Sequence, residues 1–291
     1  MRNFISDFNK LIKLRLTLTV VFSASVSFLI GSKIQGDIIW INWVILTVGG
    51  FLVTSAANGF NEIIEKDLDK LMSRTMDRPI PSGRMNTGQA LVLSLFMGIV
   101  GTMILLQLNF LTGVLSVFSI FFYAFLYTPM KRVSPIAVFV GAIPGALPPL
   151  IGYFAAFDNP SISWLPVILF IIQFVWQFPH FWAIAWVLDD DYKKAGFRLL
   201  PTTNRDKTSA AITLITTLLL IPVGLMPVFY NFGGYVYGIV SIVGGIYFTW
   251  QAIRLFTDLN VVSAKKLMYA SFFYLPLLQL ALLFDLIAPG K

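Results

Sequence analysis

The 291-residue chain contains no cysteine and a single histidine, His180. Disulfides, thiolate catalysis and cysteine-based metal centres are therefore excluded, and so is any site built from several imidazoles. Charge is scarce as well. Charged residues make up 12% of the chain, against about 25% in a soluble domain, while 57% of it is hydrophobic and the mean hydropathy is +0.80. With so little charge to solvate a surface, most of the chain must lie in lipid. Arg2, Lys10, Lys13 and Arg15 precede an apolar run that lacks a small-residue cleavage site. That segment reads as a cytoplasmic anchor leading into the first span, not as a cleavable signal.

What the chain does have is long apolar runs. A helix needs about 20 apolar residues to cross the hydrocarbon core. Nine candidates lie at roughly 14–31, 39–60, 88–107, 110–128, 135–155, 164–188, 209–229, 233–253 and 267–287. The fold class expected is an all-α integral membrane protein, a bundle of nine transmembrane helices forming one domain over residues 1–291. Basic residues set the orientation. With the N-terminus in the cytoplasm, 19 of the 21 Lys and Arg fall on the cytoplasmic side, and only Lys33 and Lys291 lie outside. Nine spans then place the C-terminus outside, in a multi-pass protein of the plasma (inner) membrane. The net charge of +7 is accounted for by this topology, so the lipid bilayer is a partner and nucleic acid is not.

Two long polar loops remain on the cytoplasmic side. The first follows the second span as NGFNEIIEKDLDKLMSRTMDRPIPSGR, from Asn58. At about 100° per residue, Asn58, Asn61, Glu62, Glu65 and Asp69 share one helical stripe, and Asp67 points the other way. Three carboxylates on one stripe repel one another and are costly near lipid. A divalent cation relieves both problems. Oxygen-only ligands suit Mg²⁺, typically held by one or two carboxylates together with substrate phosphates. Arg74 and Arg78 follow within two turns, and arginine forks match phosphate oxygens. Carboxylates followed by arginines thus point to a metal-bound diphosphate. The alternative is a solvated loop with internal ion pairs, which is the preferred reading for Lys66, Asp67, Lys70 and Asp77.

This stretch resembles the diphosphate–metal motif N-(D/N)-x-x-D-x-x-x-D of the UbiA-type intramembrane prenyltransferases, here Asn61, Glu62, Glu65 and Asp69. Its continuation, Asp69, Met72, Arg74, Thr75 and Arg78, resembles D-x-x-M-x-R-T-x-x-R of the haem O synthase branch. Glu65 departs from that pattern, which usually has Asp there. The second loop, PHFWAIAWVLDDDYKKAGFRLLP from Pro179, is similar to the same branch's P-H-F-W-A-x-A…D-Y-x-x-A-G…L-P. Arg198 departs from it, standing where Pro is usual. The end of the fourth span, with Tyr123, Tyr127, Thr128, Lys131 and Arg132, resembles the Y-T-P-x-x-K-R element. The Gly- and Pro-rich fifth span is also similar to the family and is expected to be kinked, shaping a cavity wall.

The resemblance implies a central cavity open to the cytoplasmic side and transfer of farnesyl from farnesyl diphosphate to a vinyl group of haem B. Water supplies the hydroxyl of the product. Asn61, Glu62, Glu65, Asp69 and Asp191 are the implied Mg²⁺ ligands, with Asn61, Glu65, Asp69 and Asp191 central to catalysis. Arg74, Arg78, Lys131, Arg132, Tyr127, Asp190 and His180 are implied in substrate binding. Anions at a helix C-terminus oppose the macrodipole, so Asp189, Asp190 and Asp191 need cations, either Lys193 and Lys194 or a metal. His180 lies roughly 16 Å deeper than Asp191 along a helix. It is a candidate axial ligand of haem iron, the plainer reading being an interhelical hydrogen bond. A downstream haem A synthase is a further implied partner. Three rival readings are a quinone or other aromatic acceptor, a secondary transporter and a non-catalytic haem holder. The second histidine-bearing signature, the lack of an inverted repeat and the Asn-Glu-Asp stripe respectively weigh against them.

Overall fold

The computed structural model describes residues 4–287, which are helical almost throughout. Arg2 and Lys291 of the charge count lie outside the described residues. Among those described, nine helices are long and apolar enough to cross a membrane. A short helix α1, Phe4–Leu11, precedes them. The nine spans are α2 (Leu14–Gln35), α3 (Trp40–Asp69), α4 (Thr87–Leu106), α5 (Phe110–Met130), α6 (Ala137–Phe154), α7 (Trp164–Lys194), α8 (Lys207–Phe229), α9 (Tyr235–Asp258) and α10 (Val261–Phe284).

Three differences from the expected spans have local causes. Helix α3 runs on to Asp69 and α7 to Lys194, because nothing in either stretch breaks a helix. Helix α10 begins earlier than expected, where Asn260 Oδ1 caps the Ser263 N–H at 2.9 Å. Its first turns carry Lys265 and Lys266, which mask the start in a hydropathy reading. The segment before α2 is itself a helix, α1, and not a plain anchor. Leu11 and Ile12 are buried beneath it. Asp7 pairs with Arg84 at 2.9 Å and Lys10 with Asp77 at 2.6 Å, so α1 is pinned to the loop 70–86.

Helix α6 is the best-enclosed span and packs on α2, α5 and α7. Its composition explains both facts. A Cβ on Gly152 would lie 2.0 Å from the Ala24 carbonyl oxygen, so only glycine lets α6 and α2 meet there. Pro149 has no N–H to offer the Gly145 carbonyl one turn earlier. In lipid a freed carbonyl needs another donor, and Gln173 Nε2 of α7 supplies it at 2.7 Å. The other end of that amide, Gln173 Oε1, accepts from Ser23 Oγ of α2 at 2.8 Å and from Gln279 Nε2 of α10 at 3.1 Å. One proline-freed carbonyl is thereby tied to a polar node joining four spans.

Within α5 the turn Phe122–Tyr127 is π-helical. Pro129 cannot donate to the Phe125 carbonyl, and the Thr128 N–H reaches back to Tyr123 instead. The outer surface is apolar, with Phe96, Ile99, Met103 and Phe273 exposed. Trp40, Trp164 and Trp250 are exposed on it too, as residues of an interfacial belt should be. The contact at Gly152 predicts that Gly152→Leu destabilises the bundle by about 1–3 kcal/mol or more. Thermal unfolding in detergent measures this; an unchanged midpoint would show that α2 and α6 do not depend on that approach.

Candidate active site

The last turns of α3 carry Asn58, Asn61, Glu62, Glu65 and Asp69, and every one of these side chains is buried. Buried carboxylates are tolerated only when paired. Lys131 Nζ, just past α5, lies 2.8 Å from Glu65 Oε1. Arg78 of the loop 70–86 lies 2.6 Å from Asp69 Oδ2. Lys13, at the turn between α1 and α2, donates to Asn61 Oδ1. Asn61 Nδ2 in turn donates to Glu65 Oε2 and to Thr128 Oγ1, each at 3.0 Å. Asn61, Glu65 and Asp69 are thus capped by one cation apiece, drawn from three separate segments.

Glu62 behaves differently. Its Oε1 accepts the Ile80 N–H at 3.2 Å, holding the loop 70–86 against α3. Glu62 Oε2 and Asp69 Oδ1 are buried with no hydrogen-bond partner. Asp67 and Lys70 form an exposed pair at 2.8 Å, as a solvated loop face should. Outside the spans, burial together with nearby Arg78 and Lys131 holds the Lys13 ammonium well below the usual lysine range. Burial also pushes Lys131 down, but Glu65 and the surrounding tyrosines outweigh it and its value is raised.

The acidic end of α7 serves the same loop from the other side. Asp191 accepts from Ser73 Oγ at 2.7 Å, the Arg74 N–H at 3.3 Å and Lys194 Nζ at 2.8 Å. Asp189 pairs with Lys193 at 2.8 Å, and exposed Asp190 pairs with Arg205 at 3.1 Å. Lys193, Lys194 and Arg205 thus supply the cations that the macrodipole demands. The structure therefore brings Asn61, Glu65, Asp69, Arg78 and Lys131 together. Asp191 joins them only through the Ser73–Arg78 stretch, Arg74 contributes its backbone N–H, and Arg132 is exposed. Among the described residues no three acidic, His or Cys side chains converge into a preformed metal cage.

Below the stripe lies an apolar cavity of about 330 Å³. Asn58, Tyr123 and Tyr127 line the end nearest the stripe, and Leu46, Leu105 and Leu147 are among its apolar lining. The Lys131 ammonium sits 4.7 Å from the Tyr127 ring centroid, so this tyrosine joins stripe and cavity. A Cβ on Gly141 would lie 2.7 Å from that ring, so the glycine makes room for it. His180 also lines the cavity. It stacks on Trp176 with centroids 4.4 Å apart, and its Nδ1 lies 2.8 Å from Ser271 Oγ. The Ser271 hydroxyl already donates to the Met268 carbonyl at 2.6 Å. Nδ1 must then be the protonated nitrogen and Nε2 the one with a free lone pair.

The sequence matches the profile of the UbiA prenyltransferase family over residues 20–277. The chain belongs to that family. It is 46% identical to protoheme IX farnesyltransferase of Cytophaga hutchinsonii over 95% of this chain and 96% of the relative. It is 42% identical to the protein of the same name from Christiangramia forsetii, over 97% of this chain and 94% of the relative. Among solved structures, that of a digeranylgeranylglyceryl phosphate synthase in membranes aligns with a TM-score of 0.80 at 20% identity, covering 97% of this chain and 98% of that one. A UbiA homolog from Archaeoglobus fulgidus bound to GPP and Mg²⁺ aligns at 0.63 and 14% identity, covering 96% and 99%. At such identities these likenesses carry the UbiA fold.

Several residues of this UbiA site were not legible as site residues. Lys13 reads as a topological anchor, and Ser73, Thr128, Trp176 and Ser271 carry no charge pattern. Thr128 stands within the Y-T-P-x-x-K-R element, which was the one signal available for it. The buried Glu65–Lys131 pair gives a direct stability prediction. Glu65→Gln or Lys131→Met alone strands a buried ion and should cost about 3–5 kcal/mol. The double variant should lose clearly less than the sum. Additive losses in a double-mutant thermal-unfolding cycle would mean that the two groups are not coupled.

Proposed function

We propose that this UbiA-family chain transfers a farnesyl group from farnesyl diphosphate to a vinyl group of protoheme IX. It does so as a single domain of the plasma (inner) membrane, with its N-terminus in the cytoplasm and its C-terminus outside. One observation carries the reading: a cation-capped stripe of oxygen ligands adjoins an apolar cavity lined by the one histidine, His180. The near-full-length relatives named protoheme IX farnesyltransferase support the same acceptor and donor.

The stripe fits Mg²⁺ bound together with a diphosphate. Its donors are all oxygens, Asp69 Oδ1 is buried without a partner, and among the described residues no cluster of three acidic or imidazole side chains forms a closed metal cage. A metal so placed takes its remaining ligands from phosphate and water. Asn61, Glu65 and Asp69 would hold it, with Asp191 adding a ligand from the adjoining loop. When bound, Mg²⁺ neutralises charge on the departing diphosphate. Glu62 Oε1 keeps the loop 70–86 seated, while its Oε2, buried without a partner like Asp69 Oδ1, is free to serve as a further ligand.

The chain's own residues do the rest. Arg78 and Lys131 hand their hydrogen bonds from carboxylates to phosphate oxygens, where negative charge grows as the allylic C–O bond breaks. Arg74, Arg132 and Asp190 line the approach. The Tyr127 ring separates the charged end from the apolar cavity, which holds the prenyl tail and excludes water. His180 Nε2 ligates the haem iron, and Ser271 fixes the ring as a hydroxyl partner does for metal-bound histidines. A haem A synthase is the downstream partner that would receive the product.

Purified protein incubated with haem B, Mg²⁺ and a series of prenyl diphosphates should yield one new haem, heavier by a farnesyl group plus the hydroxyl that water supplies, with diphosphate and a proton released. Asp69→Asn should lower that turnover by orders of magnitude. A product formed only from a quinone or other aromatic acceptor would refute the haem reading. His180→Ala should shift the spectrum of bound haem and weaken its binding while leaving diphosphate binding intact. An unshifted spectrum with normal transfer would leave His180 a structural role beside Ser271.

A further inference from the structure

The cavity has an inner end that the stripe does not explain. From Asn58 on α3 and Tyr127 on α5 it runs deeper into the bundle, where Leu46 of α3, Leu105 of α4 and Ile151 of α6 line it. These three come from different spans, yet each is nearly sealed, Leu46 and Leu105 at 1% exposure and Ile151 at 8%. Phe28, Leu108, Ala155 and Ala156 pack with them in one buried cluster. The passage therefore ends against packed side chains, not against lipid.

That end is held from several directions. A Cβ on Gly49 would lie 2.7 Å from Leu105 Cγ, so α3 and α4 already touch there. Asn109 Nδ2, in the turn after α4, donates to the Phe154 carbonyl at 2.9 Å and to the Phe157 carbonyl at 3.0 Å. The ends of α4 and α6 are thereby fastened together just beyond Leu105 and Ile151. On the other side of Ile151, its neighbour Gly152 lies against the Ala24 carbonyl of α2. A close-packed wall of this kind admits an extra group only with strain.

The depth of the passage has a chemical meaning. Asn58 and Leu46 are twelve residues apart on α3, about 18 Å of helix, and the inner side chains shorten this by a few ångströms. Each isoprene unit adds roughly 5 Å to an extended chain at ordinary bond lengths. We propose that Leu46, Leu105 and Ile151 form a floor that gauges the prenyl donor, accepting three isoprene units and rejecting a fourth. The inference rests on the reading of the cavity as the seat of the prenyl tail, and adds what selects its length. A misfitting apolar group in a closed pocket costs about 10-fold or more in selectivity.

The test is calorimetric titration of the full chain in detergent, with Mg²⁺ and slow-reacting thiolodiphosphate analogues of geranyl, farnesyl and geranylgeranyl diphosphate, no haem being present. Wild-type protein should bind the farnesyl compound about 10-fold or more tightly than the geranylgeranyl one. Leu105→Ala opens the floor and should close that gap to a few-fold or reverse it, by tightening the geranylgeranyl compound. Leu46→Val, a milder opening, should narrow the gap in the same direction if Leu105→Ala does not fold. Leu147 lines the wall four residues nearer the stripe than Ile151, about 6 Å along the helix. Leu147→Phe should therefore weaken the farnesyl compound about 10-fold while geranyl binding stays within a few-fold. Lost packing alone would weaken all three compounds alike, so the ratios separate a gauge from a structural role. An unchanged farnesyl-to-geranylgeranyl ratio in a folded opening variant, or wild-type protein that binds both equally, would overturn the floor. Selective farnesyl binding without transfer to haem B would sustain the floor and refute the acceptor. If none of the three compounds binds, the floor falls together with the reading of the site.

Discussion

The structure turns on a cost that α3 creates by not stopping at the membrane edge. Its last turns bury Glu62, Glu65 and Asp69 on one face, and unpaired carboxylates in such a place are untenable. The remedies come from two other parts of the chain. Ile80 lends a backbone N–H to Glu62, Lys131 reaches Glu65 from the end of α5, and Arg78 reaches Asp69 from the loop 70–86. That loop is in turn fastened by Arg84 and Asp77 to α1 and by Ser73 to Asp191 on α7. The acids thus organise the whole polar end of the bundle. The same cations that make the acids tolerable are the ones suited to phosphate.

The apolar end obeys a second constraint, that of backbone groups in lipid. Proline in α6 frees a carbonyl, and an α7 glutamine satisfies it while also binding Ser23 and Gln279. Proline at the end of α5 widens a turn instead, and the widened turn sets Tyr123 and Tyr127 in the lining of the cavity. At both places a neighbouring helix or the cavity accommodates the irregular backbone. Glycine at Gly152 and Gly141 then brings the walls close enough to enclose the space.

Much of this was legible in the sequence, and for a physical reason. Hydropathy and helical periodicity are properties of contiguous residues, so the nine spans and the stripe from Asn58 to Asp69 could be read directly. Contacts between distant segments have no such signature. The pairings of Glu65 with Lys131 and of Asp69 with Arg78 were open only as residue types suited to phosphate. Lys13 was indistinguishable from Lys10 beside it, since both satisfy the charge rule for topology. Only the fold sends one to the surface loop and the other to Asn61. Asp191 shows the converse. Its place in a motif was plain, but its bonds to Ser73, Arg74 and Lys194 depend on how two loops meet.

The positions of these residues along the chain have an evolutionary corollary. Lys13, Asn61, Glu65, Asp69, Arg78 and Lys131 all precede α6, whereas Trp176, His180 and Ser271 all follow it. On the assignment proposed above, the first half of the chain supplies the leaving-group site except for Asp191, and the rest of the second half handles the acceptor. Drift or recombination in the second half can retune which acceptor is held without disturbing the ion pairs of the first. A fold partitioned in this way can diversify its products while inheriting its donor chemistry intact.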